Sequence, residues 1–341
     1  MTNITSEPRP TLYIVSNADA RFLPGLELAV ASAVAAASGK VDYHFLVLDG
    51  GLPQKGLESL TESIAVIASK RGVKASLEPL KIDQNRLLAL PERRGSRMHY
   101  AKLLLPEILP HLDAVTYLDA DVLCFKGLEN VNPPAGDFQW LLAGALDFFD
   151  RIEKDCPWLD ELSSADRQLP YINSGVMWMN LKGLREANFT NRAIAARASV
   201  GTARHADQAV FNFLCRGKSF ILPEAINHRT AIGSSRLLCE GNLDMNIHYI
   251  GSPKPWLGAA KTCNWLAHLL WHQARSAFSP HIPVNVPEMP HDLRSIRHKA
   301  LIYRILNPNR SAHYRSDLRS LSDPGRVLSK AKSHWETITG L

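Results

Sequence analysis

Four short stretches of this chain carry residue types that can act together chemically. Asp119-Ala120-Asp121 follows the apolar run VTYL. Two carboxylates at i and i+2, where a chain leaves a sheet, can converge on one hard divalent cation, and the same pattern also makes a solvated acidic turn. His248 opens HYIGSPKPW (248–256). A histidine near a strand end offers an imidazole, and mixed oxygen and nitrogen donors suit Mn²⁺. Gly251 lets a backbone N–H approach a phosphate closely, and Lys254 can hold the same group as a point charge. The bland alternative is a strand-end histidine beside an exposed lysine. Asn173-Ser174-Gly175 interrupts the apolar run YINSGVMWM (171–179), as an amide presented to ligand hydroxyls or as a bulge. Asp207-Gln208 opens a helix-like segment, where an acidic residue also serves as an ordinary N-terminal cap.

These residues need a scaffold, and the first 120 residues alternate strand and helix patterns. Strands are predicted at 11–16 (TLYIVS), 41–48 (VDYHFLVL), 73–80 and 114–118. Helices are predicted at 26–37 behind Pro24, at 53–70 with Leu57, Leu60, Ile64 and Ile67 on one face, and at 100–109. Further strands are predicted at 140–146, 171–179 and 246–250, with helices at 184–198, 205–215 and 265–274. Strand–helix–strand order implies parallel strands with helical crossovers, an α/β sheet covered on both faces. Ligands of such sheets bind beyond the carboxyl ends of the strands. Asp19 follows the first strand, and Asp119 and Asp121 follow the fourth.

Length and charge bound what else the chain can be. It has 341 residues, 45% hydrophobic and 21% charged, which excludes a disordered or collagen-like chain. No uncharged apolar run approaches the roughly 18 residues of a membrane span, and the start lacks a secretory pattern, so a cytoplasmic protein is expected. Five widely spaced cysteines without a C-x-x-C pair argue against a disulfide framework or a zinc site. Net charge is +6, and residues 291–341 hold ten Lys/Arg against four Asp/Glu, while residues 1–290 hold twenty-nine of each sign. The expected organisation is a catalytic domain over 1–278, a Pro-rich linker over 279–290 and a basic helical tail over 291–341. The tail interleaves Arg294, Arg297, Lys299 and Arg304 with Leu293, Ile296, Leu301, Ile302 and Ile305. That composition suits peripheral contact with an anionic membrane or a solvated terminal helix. No recognition motif accompanies the charge, so nucleic acid is not an expected partner.

The series YLDADV (117–122), YINSGVMWMNL (171–181), ADQAVFN (206–212) and HYIGSPKPW (248–256) resembles glycosyltransferase family 8, over roughly residues 11–275. The resemblance implies a GT-A nucleotide-diphospho-sugar transferase fold, a Rossmann-like mixed α/β sheet with helices on both faces. It implies retaining transfer of a hexose from a UDP-sugar to a glycan or lipopolysaccharide-type acceptor hydroxyl. Asp119, Asp121 and His248 would ligate Mn²⁺ (or Mg²⁺), and Gly251 and Lys254 would bind the donor diphosphate. Asp19 and Phe22, anchored by the next helix through Ser32, match the nucleoside site. Asp147, Asn173, Asp207 and Gln208 match positions that hold the donor sugar; Asp147, Asp207 and Gln208 are the candidate catalytic residues, the last two the nearest candidates for a nucleophile. Two positions depart from the family pattern. Its Y-x-R-L arginine, at a donor-binding position, is Lys102, and the Asp-Asn after the first strand has become Asp19-Ala20-Arg21. Two other readings are a non-catalytic sugar-nucleotide-binding protein and a sugar nucleotidyltransferase. The latter usually carries a Gly-rich loop after the first strand, and residues 16–22 contain no glycine.

Overall fold

The computed structural model describes residues 9–93, 95–134, 139–200, 206–230, 243–257, 265–278, 293–306, 315, 318 and 324–339. The strands are β1 (Thr11–Ala18), β2 (Asp42–Asp49), β3 (Ala75–Lys81), β4 (Ala114–Leu118), β5 (Val122–Leu123), β6 (Leu142–Arg151), β7 (Pro170–Asn180), β8 (Ser219–Leu222), β9 (His228–Arg229) and β10 (Ile247–His248). The α-helices are α1 (Leu23–Ala35), α2 (Gln54–Arg71), α3 (Leu105–Ile108), α4 (Ser164–Arg167), α5 (Leu181–Glu186), α6 (Phe189–Ala198), α7 (Ala206–Leu214), α8 (Trp265–Phe278), α9 (Leu293–Leu306) and α10 (Pro324–Thr339).

Seven strands form one mixed sheet in the order β3-β2-β1-β4-β7-β6-β8, and β5-β10-β9 form a small second sheet. The first four strands are parallel, as strand–helix alternation requires, whereas β7 runs antiparallel between β4 and β6. The carboxyl ends of β1, β4 and β6 therefore share one edge of the sheet. Helix α1 is buried almost throughout, from Leu26 to Ala35, as its Ala-rich sequence dictates. Helix α2 buries Leu57, Leu60, Ile64 and Ile67 and stops at Gly72, whose φ of 64° suits a residue without a side chain.

Several elements differ from the sequence pattern. The segment expected as a helix over 100–109 is a 3₁₀ helix, Met98–Leu104, followed by the single turn α3. Pro106 has no N–H to return to Lys102, and the Leu105 N–H takes that carbonyl instead in an i→i−3 bond. The helix expected over 184–198 divides into α5 and α6 at Asn188, whose φ is 50°. Strands β5, β8 and β9 are too short or too ordinary in composition to signal themselves.

The expected linker 279–290 lies outside the described residues. Beyond it, α10 packs onto α8. Trp335 is 1% exposed, with its ring 4.4 Å from Phe125 and 5.3 Å from Phe278. Val327 and Ala331 complete this cluster with Leu266, Leu270 and Trp271. Helix α9 instead buries Ala300 and leaves Leu301, Ile302 and Ile305 exposed, Ile305 at 87%.

Candidate active site

Backbone pairing brings Asp119, Asp121 and His248 together from segments far apart in sequence. The Asp119 N–H donates to Gly175 O at 2.7 Å, which fixes the turn after β4 against β7. The small sheet sets His248 opposite Val122, and the Tyr249 N–H donates to Asp121 O at 2.9 Å. One ligand atom from each residue then lies within 4.8 Å of the others. His248 Nε2 stands 3.2 Å from Asp121 Oδ1 and 3.7 Å from Asp119 Oδ2, while Nδ1 sits 3.0 Å from Asn227 Oδ1. A Cβ on Gly175 would fall 2.1 Å from His248 Cε1, so the glycine is what admits the imidazole. Two carboxylates and one imidazole nitrogen converging on one point fit a divalent cation.

The outer oxygens of both aspartates are held by buried lysines. Lys254 pairs with Asp121 Oδ2 and donates to Tyr249 O at 2.7 Å. Lys102 Nζ lies 3.5 Å from Asp119 Oδ1 and 2.8 Å from Asp207 Oδ2, over the Tyr117 ring at 4.5 Å. Desolvation pushes the Asp119 carboxyl up. At Asp121 desolvation acts the same way, but Lys254 and His248 outweigh it and hold the carboxyl below the ordinary range. At Asp207 desolvation is outweighed by Lys102 and His99, which hold the carboxyl at about 2. Lys102, at 3% side-chain exposure, lies behind these carboxylates, not on the cavity wall.

A second group of polar residues comes from a break in the β6–β7 ladder. Between the pairs Gly144–Met177 and Leu146–Ile172, β7 advances further than β6, and the register shifts back before Arg151–Pro170. Asn173–Gly175 on one strand and Asp147–Asp150 on the other are thereby freed from regular pairing, the use to which bulges near sites are put. Asn173 Nδ2 donates to Asp147 Oδ2 at 2.7 Å. Ser174 N–H donates to Gln208 Oε1 at 3.0 Å, and Ser174 Oγ donates to Asp207 Oδ2 at 3.3 Å. Asp207 and Gln208 sit in the first turn of α7.

Together these groups line a cavity of about 550 Å³ at the carboxyl edge of the sheet. Asp19, Phe22 and Gly251 line it too. Asp19 is tied to Arg21 at 2.9 Å, and Phe22 packs edge-on against Trp256 at 5.5 Å. Trp256 Nε1 donates to Arg21 O at 2.9 Å, clasping the HYIGSPKPW loop to the start of α1. Ser32 Oγ accepts from the Cys124 N–H at 2.9 Å and so ties α1 to the chain just after the acidic turn. Residues 93–99 add Arg93 and His99, whose imidazole burial pushes down to about 4. Nothing in the sequence singles out Asn227 or His99. The first lies in an undistinguished stretch, and the second only in the segment whose helix type the pattern misjudges.

A mixed seven-stranded sheet with a DxD turn at its carboxyl edge is the GT-A nucleotide-diphospho-sugar transferase fold. Among solved structures, the galactosyltransferase LgtC, in complex with donor and acceptor sugar analogues, matches with a TM-score of 0.61 at 20% identity, over 83% of this chain and 99% of that one. The apo structure of the bifunctional glycosyltransferase WbbM matches with a TM-score of 0.55 at 18% identity, over 75% of this chain and 48% of that one. Residues 13–260 match the sequence profile of Glycosyl transferase family 8, and the chain belongs to that family. It is a glycosyltransferase. A lipopolysaccharide 1,2-glucosyltransferase of Escherichia coli strain K12 is 28% identical over 267 residues, 72% of each chain. No described helix is long and apolar enough to cross a membrane.

Proposed function

We propose that this glycosyltransferase moves a hexose from a UDP-sugar to a hydroxyl of a lipopolysaccharide-type glycan, with divalent-cation dependence and retention of anomeric configuration. The observation that carries this reading is the convergence of Asp119, Asp121 and His248 on one point of the cavity wall beside Lys254. A Mn²⁺ or Mg²⁺ held there would neutralise diphosphate charge as UDP departs. Lys254 adds a second positive charge to the same end of the cavity. It would be shared between Asp121 and the diphosphate, strengthening as the leaving group gains charge. Asp19 and Phe22 stand where the nucleoside would lie, and Asp147, Asn173 and Gln208 where sugar hydroxyls would be held.

Retention needs either a protein nucleophile or attack on the face that the diphosphate leaves. Asp207 is committed to Lys102 and Ser174, and the Gln208 amide is a poor nucleophile. This favours same-face attack, with the acceptor oxygen guided by the departing phosphate. The lipopolysaccharide-type acceptor is the class named for the Escherichia coli relative. Helix α9, with exposed Leu301, Ile302 and Ile305 among Arg297, Lys299 and Arg304, would meet the anionic membrane surface bearing such an acceptor.

A panel of UDP-sugars assayed for Mn²⁺-dependent hydrolysis tests the reading without any acceptor. Turnover of one UDP-hexose that disappears with EDTA and in Asp121→Ala is expected. Near-normal consumption by Asp121→Ala would remove the cation assignment, and UDP binding without turnover of any donor would favour a non-catalytic binder.

A further inference from the structure

The His248 ring is held from behind by a line of side chains leading back to Asp147. Asn173 Nδ2 meets Asp147 Oδ2 at 2.7 Å, Asn227 Nδ2 meets Asn173 Oδ1 at 2.8 Å, and His248 Nδ1 meets Asn227 Oδ1 at 3.0 Å. Asn227 is 0% exposed and precedes β9, whose pairing with β10 sets His228 opposite Ile247.

We propose that Asn227 is a positioning residue: it closes a one-way hydrogen-bond relay from Asp147 that places the His248 ring proton on Nδ1 and turns the Nε2 lone pair toward Asp119 and Asp121. This rests on the cation site of the proposed function and goes beyond it to what sets the imidazole.

The direction follows from the end of the line. A carboxylate only accepts, so Asn173 must present its amino group to Asp147 and its oxygen to the other side. The Gly175 N–H, donating to that same oxygen at 3.0 Å, requires the same orientation independently. The Asn173 oxygen in turn only accepts, so Asn227 must offer its amino group there and its oxygen to His248. That oxygen too can only accept, which leaves Nδ1 as the protonated nitrogen. The opposite tautomer would face two buried acceptors with no proton between them, a costly arrangement away from water. A ring protonated on Nδ1 offers Nε2 as a ligand, the arrangement in which a ligating histidine gives its second N–H to a protein acceptor. Every intermediate group is a neutral amide, so the line carries orientation without burying charge. Asp147, which faces the cavity from the β6 bulge, thereby orients a cation ligand across the site.

The test combines ¹⁵N NMR of the His248 ring with Mn²⁺ binding by calorimetry. Wild-type protein with saturating Mg²⁺ at pH 8 is expected to carry its ring proton on Nδ1. A proton on Nε2 would overturn the relay. Asn227→Leu is expected to lose Mn²⁺ affinity by about tenfold or more, the usual cost of removing such a partner. Asn227→Asp can still accept from Nδ1–H and is expected to stay within about threefold of wild type in Mn²⁺ affinity. It cannot donate to Asn173, so its loss is expected in donor KM. Wild-type Mn²⁺ affinity in folded Asn227→Leu would overturn the proposal. If Asn227→Leu does not fold, Asn227→Asp and the wild-type ring spectrum still decide it. Failure of wild-type protein to bind Mn²⁺ would instead overturn the cation site, and the ring proton would still report on the relay.

Discussion

The ammonium of Lys102 sits 2.8 Å from the Asp207 carboxylate and reaches Asp119 at 3.5 Å, so one buried cation joins the first turn of α7 to the acidic turn after β4. Removing it leaves the buried Asp207 carboxylate and the half-buried Asp119 carboxylate without their counter-charge. Lys102→Met is expected to lose roughly 3 kcal/mol of stability at pH 7, the scale for breaking a buried pair from one side. Lys102→Arg keeps the charge and should lose much less. Urea unfolding of both variants checks this, and equal midpoints would show that the ammonium is not what steadies the two acids.

Gly175 separates loss of the site from loss of the fold. Its backbone oxygen anchors Asp119, and the space beside its Cα is filled by the His248 ring. Gly175→Ala is expected to retain a wild-type far-UV spectrum while Mn²⁺ binding and donor hydrolysis fall by at least about tenfold, the displaced imidazole being the proposed third ligand. Unaltered Mn²⁺ affinity would mean that the ring moves aside and the ion does not need it.

The half-buried His99 and the buried His268 set a pH dependence of stability. Burial holds His99 and His268 each at about 4, against an unfolded value of about 6.5. Between those values the unfolded chain takes up protons that the folded chain refuses, so stability falls on acidification. Their contribution is whole above about 6.5 and gone below about 4, with a slope of up to about 1.4 kcal/mol per pH unit for each ring. Among the described residues none hydrogen-bonds to His268 Nδ1, which makes His268→Phe the cleaner probe. Urea midpoints from pH 7.5 to 4.5 should fall less steeply in that variant; identical slopes would place the proton uptake elsewhere.

Trp335 belongs to the stability of the catalytic body. Trp335→Ala is expected to cost about 3–5 kcal/mol, as for other large aromatic truncations in cores. Substituting Leu301, Ile302 and Ile305 by Gln should leave stability within about 0.5 kcal/mol, because these side chains are exposed. Flotation with anionic vesicles distinguishes the two helices: the triple Gln variant should lose binding while keeping its melting temperature. Undiminished flotation would remove α9 from any membrane role.

Parts of the molecule were legible because they obey local rules. The first four strands, α1 and α2 follow from apolar runs, Pro24 and the Leu57–Ile67 spacing. The Asp119–Asp121–His248 cluster was legible only as separate fragments, since Asp119 and His248 meet through pairing with β5, a two-residue strand that no periodicity announces. Lys102 read as a donor-binding group because its sequence position says nothing of depth, and depth turns it toward carboxylates instead of the cavity. Asn227 was silent altogether, since a buried amide is identified by what surrounds it in space. The tail read as an appendage because its basic residues mask the Val327–Ala331–Trp335 stripe that holds α10 in place.

That stripe makes α10 a brace for the small sheet. Val327, Ala331 and Trp335 share one apolar cluster with Leu123 of β5 and Ile247 of β10. Those two residues face each other in the pairing that also sets His248 opposite Val122. A helix at the far end of the sequence thus backs the strand that carries the imidazole, and truncation ahead of it would loosen the site from behind.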